Sequence, residues 1–369
     1  MTFETRYQTL YICGMSCKRY SIYTGCFLLL VLVFAACTSK PKEVPVTGRY
    51  YAGILLGKPY SIDVVGDSTD YRASLDSILL LYESLFNAQD SNSVISMINA
   101  YSDSKQLFSF IDSTHVFGLV YDGLRDLHRY TMQYYDPTTT PLKRAWLLTK
   151  SKGELEPNID SLFEFIGFER SSKGDVLIDL NELTTDGYKY EKSVVRKTDP
   201  RLELDFSTVA AAAALDAIGS FLKERGVGQF RISFGQSVIC GGNTIVDTLQ
   251  IIPMGIGFDT ADQYIRLTAG AYAVRTAQDK LGMIDPSYGY PVSNEMVLVS
   301  IAAPTLVEAE VFSEAFMIMG LGRAAEYYTE NENSKVQSFM LYEKDEQLQS
   351  ASTEGFDQIM LHADSLPKP

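Results

Sequence analysis

Tyr134-Tyr135-Asp136-Pro137-Thr138-Thr139-Thr140-Pro141-Leu142 is the stretch on which the reading of this 369-residue chain turns, and Trp146, its only tryptophan, follows four residues later. Upstream, Phe117, Val120, Tyr121, Leu124 and Leu127 recur at helical spacing and predict a helix over residues 112–134. The residue before a proline is pushed out of the helical region, so Asp136-Pro137 stops that helix and Thr138 enters a turn. By local chemistry alone, then, the stretch is a helix stop and a turn.

Further out, residues 50–65 alternate and break at Gly57-Lys58-Pro59, which predicts two strands joined by a turn. Leu75, Ile78, Leu79, Tyr82 and Leu85 predict a helix running to Phe86, and residues 158–166 a shorter one. Residues 172–203 read as a small meander of strands ending at 202–206, ahead of an alanine-rich helix over 208–224. Strands are expected around 229–234, 241–247 and 296–303. A last major helix opens at Pro304-Thr305, and a hairpin of 336–342 with 347–351 closes the domain. Helices and strands alternate irregularly and no fixed-period repeat appears, so the class is α+β, not a doubly wound parallel sheet.

A composition of 46% hydrophobic and 12% aromatic residues is that of a globular chain with a substantial core. A net charge of −14 with no basic patch excludes nucleic acid as a partner, because binding a phosphate backbone needs clustered Lys and Arg. Lys18-Arg19 precede an apolar run, residues 27–36, too short to span a bilayer and suited to a signal h-region. Phe34-Ala35-Ala36-Cys37 resembles a lipoprotein processing site, so residues 1–37 are expected to be a lipoprotein signal with Cys37 lipidated. The chain is then exported, anchored to a membrane through lipid and periplasm-facing; a plain secretory signal or an uncleaved anchor is the alternative. Met15 could be the true start. Residues 38–47 are a polar linker, 48–352 the domain and 353–369 a C-terminal tail. Cys13, Cys17 and Cys26 lie in the expected signal and Cys37 is the expected lipid site, which leaves Cys240 alone in the domain and no internal disulfide. His115, His128 and His362 share no metal-ligand spacing.

Six segments, taken in order over residues 48–352, resemble the bacterial flavin transferase family often called ApbE, which moves FMN from FAD onto a threonine of a partner protein. Leu56-Gly57-Lys58-Pro59-Tyr60 is similar to the family's Met-Gly-Thr-x-Tyr, and residues 86–99 to its Phe-Ser-x-Tyr-x-x-x-Ser-x-Leu-Ser-x-Leu-Asn, with Gln89 at the flavin-contacting tyrosine. Tyr135-Asp136-Pro137-Thr138 with Pro141-Leu142 and Trp146 is the most specific match, its glycine changed to Thr140. Leu204-Asp205-Phe206-Ser207-Thr208-Val209-Ala210-Ala211-Ala212 keeps the aspartate of Leu-Asp-x-Gly-Gly-Ile-Ala-Lys-Gly and loses its lysine at Ala211. Physically this is a helix N-terminus, capped by Ser207 or Thr208, of the kind that favours phosphate. Met283-Ile284-Asp285-Pro286-Ser287-Tyr288-Gly289-Tyr290-Pro291-Val292 resembles His-x-Ile-Asp-Pro-x-x-Gly-x-Pro-Val, with Gly282 at the histidine position. The short loop 276–281 before it implies that a β-hairpin flanking the family's site is deleted.

The last segment, residues 303–315, places Glu310 and Glu314 where the family's aspartate and threonine hold magnesium. Glu308 is set aside, because Thr305-x-x-Glu308 is a capping box. Spaced i, i+4, Glu310 and Glu314 share a helix face and call for a cation: either Mg2+, which binds through one or two carboxylates plus phosphate, or a neutralising lysine or arginine, unless the pair is a solvated edge. The resemblance implies an ApbE-like fold of mixed sheets and packed helices, with a flavin and metal site between two lobes. Leu56, Gln89, Tyr134, Tyr135, Asp136, Asp205, Ala211 and Met283 would face FAD, and Glu310, Glu314 and the Thr208 carbonyl would face Mg2+. It implies FAD as substrate and a flavoprotein subunit of a membrane reductase as acceptor. With so many of the family's chemical side chains replaced, a catalytically inactive paralogue that binds flavin or a partner is the second reading.

Overall fold

The computed structural model describes residues 48–153, 156–170, 174, 178–183, 192–242, 247–250 and 263–362; the expected signal, Cys37 and the linker lie outside them. The alternating strands β1 (Gly48–Leu55) and β2 (Lys58–Val65) pair as a hairpin, burying Tyr51, Leu55, Tyr60, Ile62 and Val64 on one face. The two-residue turn is Leu56-Gly57, with φ of 46° and 81°. Left-handed backbone costs a non-glycine residue roughly 1 kcal/mol, and Glu83 helps hold Leu56 there by accepting its N–H at 2.6 Å. Glu83 lies on α1 (Arg72–Phe86), whose buried Leu75, Leu79, Tyr82, Leu85 and Phe86 follow the expected spacing.

A short helix, α2 (Val94–Ala100), and strand β3 (Phe108–Ile111) lead to α3 (Val116–Tyr130). The helix expected over 112–134 is shorter at both ends. Buried Asp112 accepts the N–H of Gly118 and precedes His115, whose φ is 57°, and Met132 and Gln133 at φ of 52° and 68° end the helix early. Next come α4 (Thr140–Lys152), with a proline in its first turn and Gly153 at φ 70° after its end, and a single-turn α5 (Ile159–Leu162) continuing as a 3-10 turn, Phe163–Phe165, in place of the helix expected over 158–166. Of the meander expected over 172–203, the described residues carry β4 (Ile178–Leu183) and β5 (Lys192–Lys197), which form a three-stranded antiparallel sheet with β3, while 172–173, 175–177 and 184–191 lie outside them. Residues 202–206 carry no strand. Asn99 substitutes for one, donating to the Leu204 carbonyl at 2.9 Å and accepting the Leu204 N–H at 2.8 Å.

The alanine-rich helix α6 (Ser207–Glu224) is buried almost all round, and its small side chains let it pack against α1, α3, the sheet and the last long helix. Strands β6 (Gln229–Phe234) and β7 (Ser237–Gly242) follow, then β8 (Asp247–Gln250), β9 (Gln263–Leu267), β10 (Gly270–Thr276), the short α7 (Ala277–Lys280) and β11 (Met296–Ala303). After α8 (Leu306–Glu330), β12 (Gln337–Lys344) and β13 (Gln347–Ser352) make the expected hairpin, and α9 (Glu354–Asp357) and β14 (Met360–His362) extend the order into the C-terminal segment. The main sheet runs β1-β2-β6-β7-β10-β11-β12-β13, antiparallel throughout. A second cluster, including Val238, Cys240, Ile265, Tyr272, Phe339 and Phe356, joins that sheet to α9 and to the small sheet β14-β9-β8.

Two inward-facing charges, one buried and one half-buried, tie these layers. Lys197, 1% exposed, donates to the carbonyls of Ile98, Asn99 and Tyr101 at 3.1 Å and of Pro200 at 3.2 Å, which caps the end of α2 from β5; burial lowers its pKa to about 8. Asp216 of α6 accepts the N–H groups of Leu306 and Val307 at 2.9 and 3.0 Å, beside the Thr305–Glu308 capping box, and so joins α6 to the N-terminus of α8. Helix α8 is interrupted at Gly320 (φ 78°), where Asn294 donates to the Met317 and Ile318 carbonyls and Glu295 accepts from Leu321 N–H.

Burial raises the Asp216 pKa to about 6 against the two amides that lower it. A raised carboxyl pKa contributes stability that is complete below the unfolded value and is lost as the pH rises through the folded one. Urea titrations at about pH 4 and about pH 8 should therefore show wild type losing roughly 2–3 kcal/mol relative to Asp216→Asn over that interval. A constant difference between the two proteins would refute this assignment.

Candidate functional site

Two openings meet at Asp205, ahead of α6. The larger is a cleft of about 750 Å3 lined by Leu56, Gln89, Asn99, Arg144, Glu203 and Asp205, among others. The smaller is a polar cavity of about 50 Å3 lined by Tyr135, Asp136, Lys143, Asp205, Thr208 and Glu314. A third opening of about 430 Å3, lined by Trp146, Lys280, Gly282 and Ile284, shares Lys143 with the small cavity. Helix α4 thus presents Thr140 and Arg144 to the cleft and Lys143 to the other two.

The cleft is held open by side chains that fasten backbone. Glu83 accepts from Leu56 N–H and, with its other oxygen, from the Asn87 amide at 2.7 Å; Asn87 in turn accepts Gln89 N–H at 2.9 Å. Leu56 and Gln89 are therefore positioned by one carboxylate. Arg144 makes a two-pronged ion pair with Glu203 at 2.9 and 2.6 Å, which raises the arginine pKa. Asp205 accepts both the N–H and the hydroxyl of Ser207, so it is Asp205 that meets the first N–H of α6, whose N-cap position is Phe206, and neither Ser207 nor Thr208 caps it.

The Asp136-Pro137-Thr138 turn is a knot. Asp136 accepts the Thr138 N–H at 2.7 Å and hydroxyl at 2.5 Å with one oxygen, and Phe168 N–H at 3.1 Å with the other. Thr138, fully buried, accepts Gly167 N–H at 2.7 Å, and the Pro137 carbonyl accepts Asp205 N–H at 2.8 Å. His128 is buried against the Phe168 ring, and its Nδ1 donates to the Tyr135 carbonyl at 2.7 Å. Trp146 donates to the Gly289 carbonyl at 2.8 Å and packs on Tyr290, which docks the Asp285-Pro286 turn against α4. Two segments more than 140 residues apart are thereby one contact.

Glu310 and Glu314 part company. Glu310, 3% exposed, pairs with Arg275 of β10 through one oxygen and accepts the Ser237 hydroxyl of β7 at 2.5 Å through the other. Burial pulls the Arg275 pKa down, but Glu310 and Glu314 more than reverse this and raise it. Glu314 lines the small cavity, where burial first, then Glu314 and Asp205, push the Tyr135 hydroxyl well above its ordinary pKa. Tyr135 is therefore a neutral donor at any working pH. The residues expected to hold Mg2+ do not fit it: both oxygens of Glu310 already have donors, one of them a guanidinium. Among the described residues no group of three His, Cys, Asp or Glu could hold a metal ion. For Glu310 the expected arginine alternative is the one realised.

Of the residues read from the sequence, Leu56, Gln89 and Asp205 line the cleft and Tyr135, Asp136, Thr208 and Glu314 the cavity. Ala211 and Met283 are in the hydrophobic core, Tyr134 packs half-buried against it, and Glu310 is buried. Lys143, Arg144, Glu203, Ser237 and Arg275 were not anticipated. The signal for Arg275 was a single charge in the otherwise apolar run Gly270–Thr276.

The sequence model of the ApbE family matches residues 56–339. Among curated proteins, the chain is 22% identical over 310 residues to the FAD:protein FMN transferase of Vibrio cholerae, covering 79% of this chain and 86% of that protein. It is 23% identical over 330 residues to that of Escherichia coli, covering 81% and 87%. Among solved structures, the flavin transferase ApbE from Vibrio cholerae superposes with a TM-score of 0.68 at 18% identity, covering 85% of this chain and all of that one. The Pseudomonas stutzeri flavinyl transferase ApbE, in its apo form, gives 0.66 at 16% identity, over 85% and 97%. These likenesses establish the fold.

Gly289 sits at φ 74°, and a Cβ there would lie 2.7 Å from the Ile159 side chain. Gly289→Ala should cost about 2 kcal/mol or more in urea unfolding, and Trp146→Phe, which orphans the Gly289 carbonyl, about 1 kcal/mol. A neutral Gly289→Ala would mean that the turn relaxes freely.

Proposed function

The chain belongs to the ApbE family, and from that premise we propose that it transfers FMN from FAD to a threonine hydroxyl of a protein acceptor. The observation that carries this reading is the cleft: its volume of about 750 Å3 suits a dinucleotide, and it brings Leu56 and Gln89 together with Asp205 beside the polar cavity.

In the reaction the acceptor oxygen attacks the phosphorus on the FMN side of the pyrophosphate. A phosphoester bond forms, the bond to the AMP oxygen breaks, and AMP leaves with that electron pair. Charge on the two phosphates is met by what this chain supplies: Lys143 and the N-terminus of α4. Glu314, a cavity carboxylate with no neutralising hydrogen bond among the described residues, takes the proton of the acceptor hydroxyl. Tyr135, kept neutral by burial, lines the same cavity. The acceptor is a periplasm-facing flavoprotein subunit of a membrane reductase, and the chain reaches it from a lipid anchor at Cys37. The apolar run ending at Cys37 supports that placement.

A second reading, a flavin-binding module without transferase activity, is favoured by one observation: Ala211 is in the core and Gly282 has no side chain, so two of the family's polar groups have no counterpart in the cleft.

Purified protein incubated with FAD and a threonine-containing acceptor should release AMP, and Glu314→Gln should slow release by roughly 100-fold or more with FAD affinity unchanged. A rise in melting temperature with FAD but no AMP would favour the binding module; neither response would defeat both readings. Cys37→Ser should abolish incorporation of labelled fatty acid and release the chain from membranes, and labelling that survives would disprove the anchor.

A further inference from the structure

The buried cluster of Arg275, Glu310 and Ser237 joins three elements behind the small cavity: β10, α8 and β7. Arg275 is 15% exposed and Glu310 4% in their side chains. The guanidinium also donates to the Val274 carbonyl at 3.2 Å, and Glu310, Glu314 and Asp279 all act on it electrostatically. Asp279 itself is engaged in the Thr276 capping box. One fixed cation therefore stands among the carboxylates whose spacing calls for a cation.

A hard divalent ion needs a near-octahedral set of oxygens and gives up its water reluctantly. Here it would have to displace a hydrogen-bonded guanidinium from Glu310 and then sit beside that displaced charge in a water-poor interior. Both steps oppose it. Arginine, by contrast, keeps its proton under all working conditions and offers a planar donor face matched to a carboxylate. Glu310 is thus already neutralised without a soluble ion, and Glu314 remains available to the cavity.

We propose that Arg275, locked by Glu310 and Ser237, replaces a divalent cation in this chain, so that it binds its flavin dinucleotide without metal. The proposal rests on the flavin reading above. Arg275 acts through Glu310 as a positioning residue; it does not touch the ligand. Its removal would do more than loosen the fold, because it would uncover two carboxylates on one helix face and so create a metal site.

The test uses Mn2+ as the probe, its binding followed by loss of the free-ion EPR signal, and flavin fluorescence for FAD affinity in EDTA or in excess MgCl2. Wild type should take up no stoichiometric Mn2+ and bind FAD equally, within about twofold, in both buffers. Arg275→Met should bind Mn2+ at least tenfold more tightly than wild type, and Arg275→Met/Glu314→Gln should lose that gain. One Mn2+ per wild-type chain, abolished by Glu314→Gln, would overturn the proposal, as would FAD binding that weakens tenfold in EDTA. The wild-type titrations decide the matter even where Arg275→Met fails to fold. FAD binding in neither buffer overturns the proposal together with the flavin reading beneath it, whereas FAD binding that requires the metal overturns the proposal alone.

Discussion

A carboxylate in a protein interior must be neutralised where it stands, and in this chain that requirement organises the middle of the molecule. Glu310 is at the packed face of α8, and its partners come from β7 and β10, adjacent strands of the main sheet. Leaving such a charge unpaired costs several kcal/mol, so the helix has one rotational setting on the sheet that satisfies it. That setting determines what lies one turn further on. Glu314 turns to the small cavity, where Asp205 and Tyr135 meet it from the other layer. Asp216 fixes the same helix at its N-terminus, and Asn294 and Glu295 fix it at the Gly320 break.

The motif residues that made the sequence recognisable serve the backbone more than the ligand. Asn99 stands in for a strand partner of Leu204, Asp136 ties its own turn to Phe168, and Trp146 holds Gly289. Each of these needs one side-chain geometry, and each survives in the chain. The positions at which the family's chemical side chains were expected have gone another way: Ala211 packs in the core and Glu310 has an arginine. A chain can keep a cleft while its chemistry is rebuilt, because the bonds that shape the walls are different bonds from those that meet the substrate.

The elements with strong periodicity, α1, α6, α8 and the two hairpins, were legible because burial on one face writes itself into spacing. Helix α4 was not, since it buries only Pro141, Leu142 and Thr149 and its apolar pattern is faint. Strand β10 was missed for the opposite reason: Ala271, Tyr272, Ala273 and Val274 are all buried, so no alternation appears. The cleft residues Leu56, Gln89 and Asp205 could be named from motifs. Arg275 and Arg144 could not, because an ion pair between strands or helices distant in sequence leaves no local trace.

The fasteners also span long stretches of chain: 99 residues from Lys197 back to Ile98, 105 from Asn99 to Leu204, 143 from Trp146 to Gly289. Folding speed falls as contacts become less local, because the entropy of closing each loop is lost before its contact forms. The hairpins and helices can form early, each from its own neighbourhood, but the cleft has no such route. Its lining is drawn from separate segments between Leu56 and Ser207, so the loops closed to assemble it are among those whose entropy slows folding most.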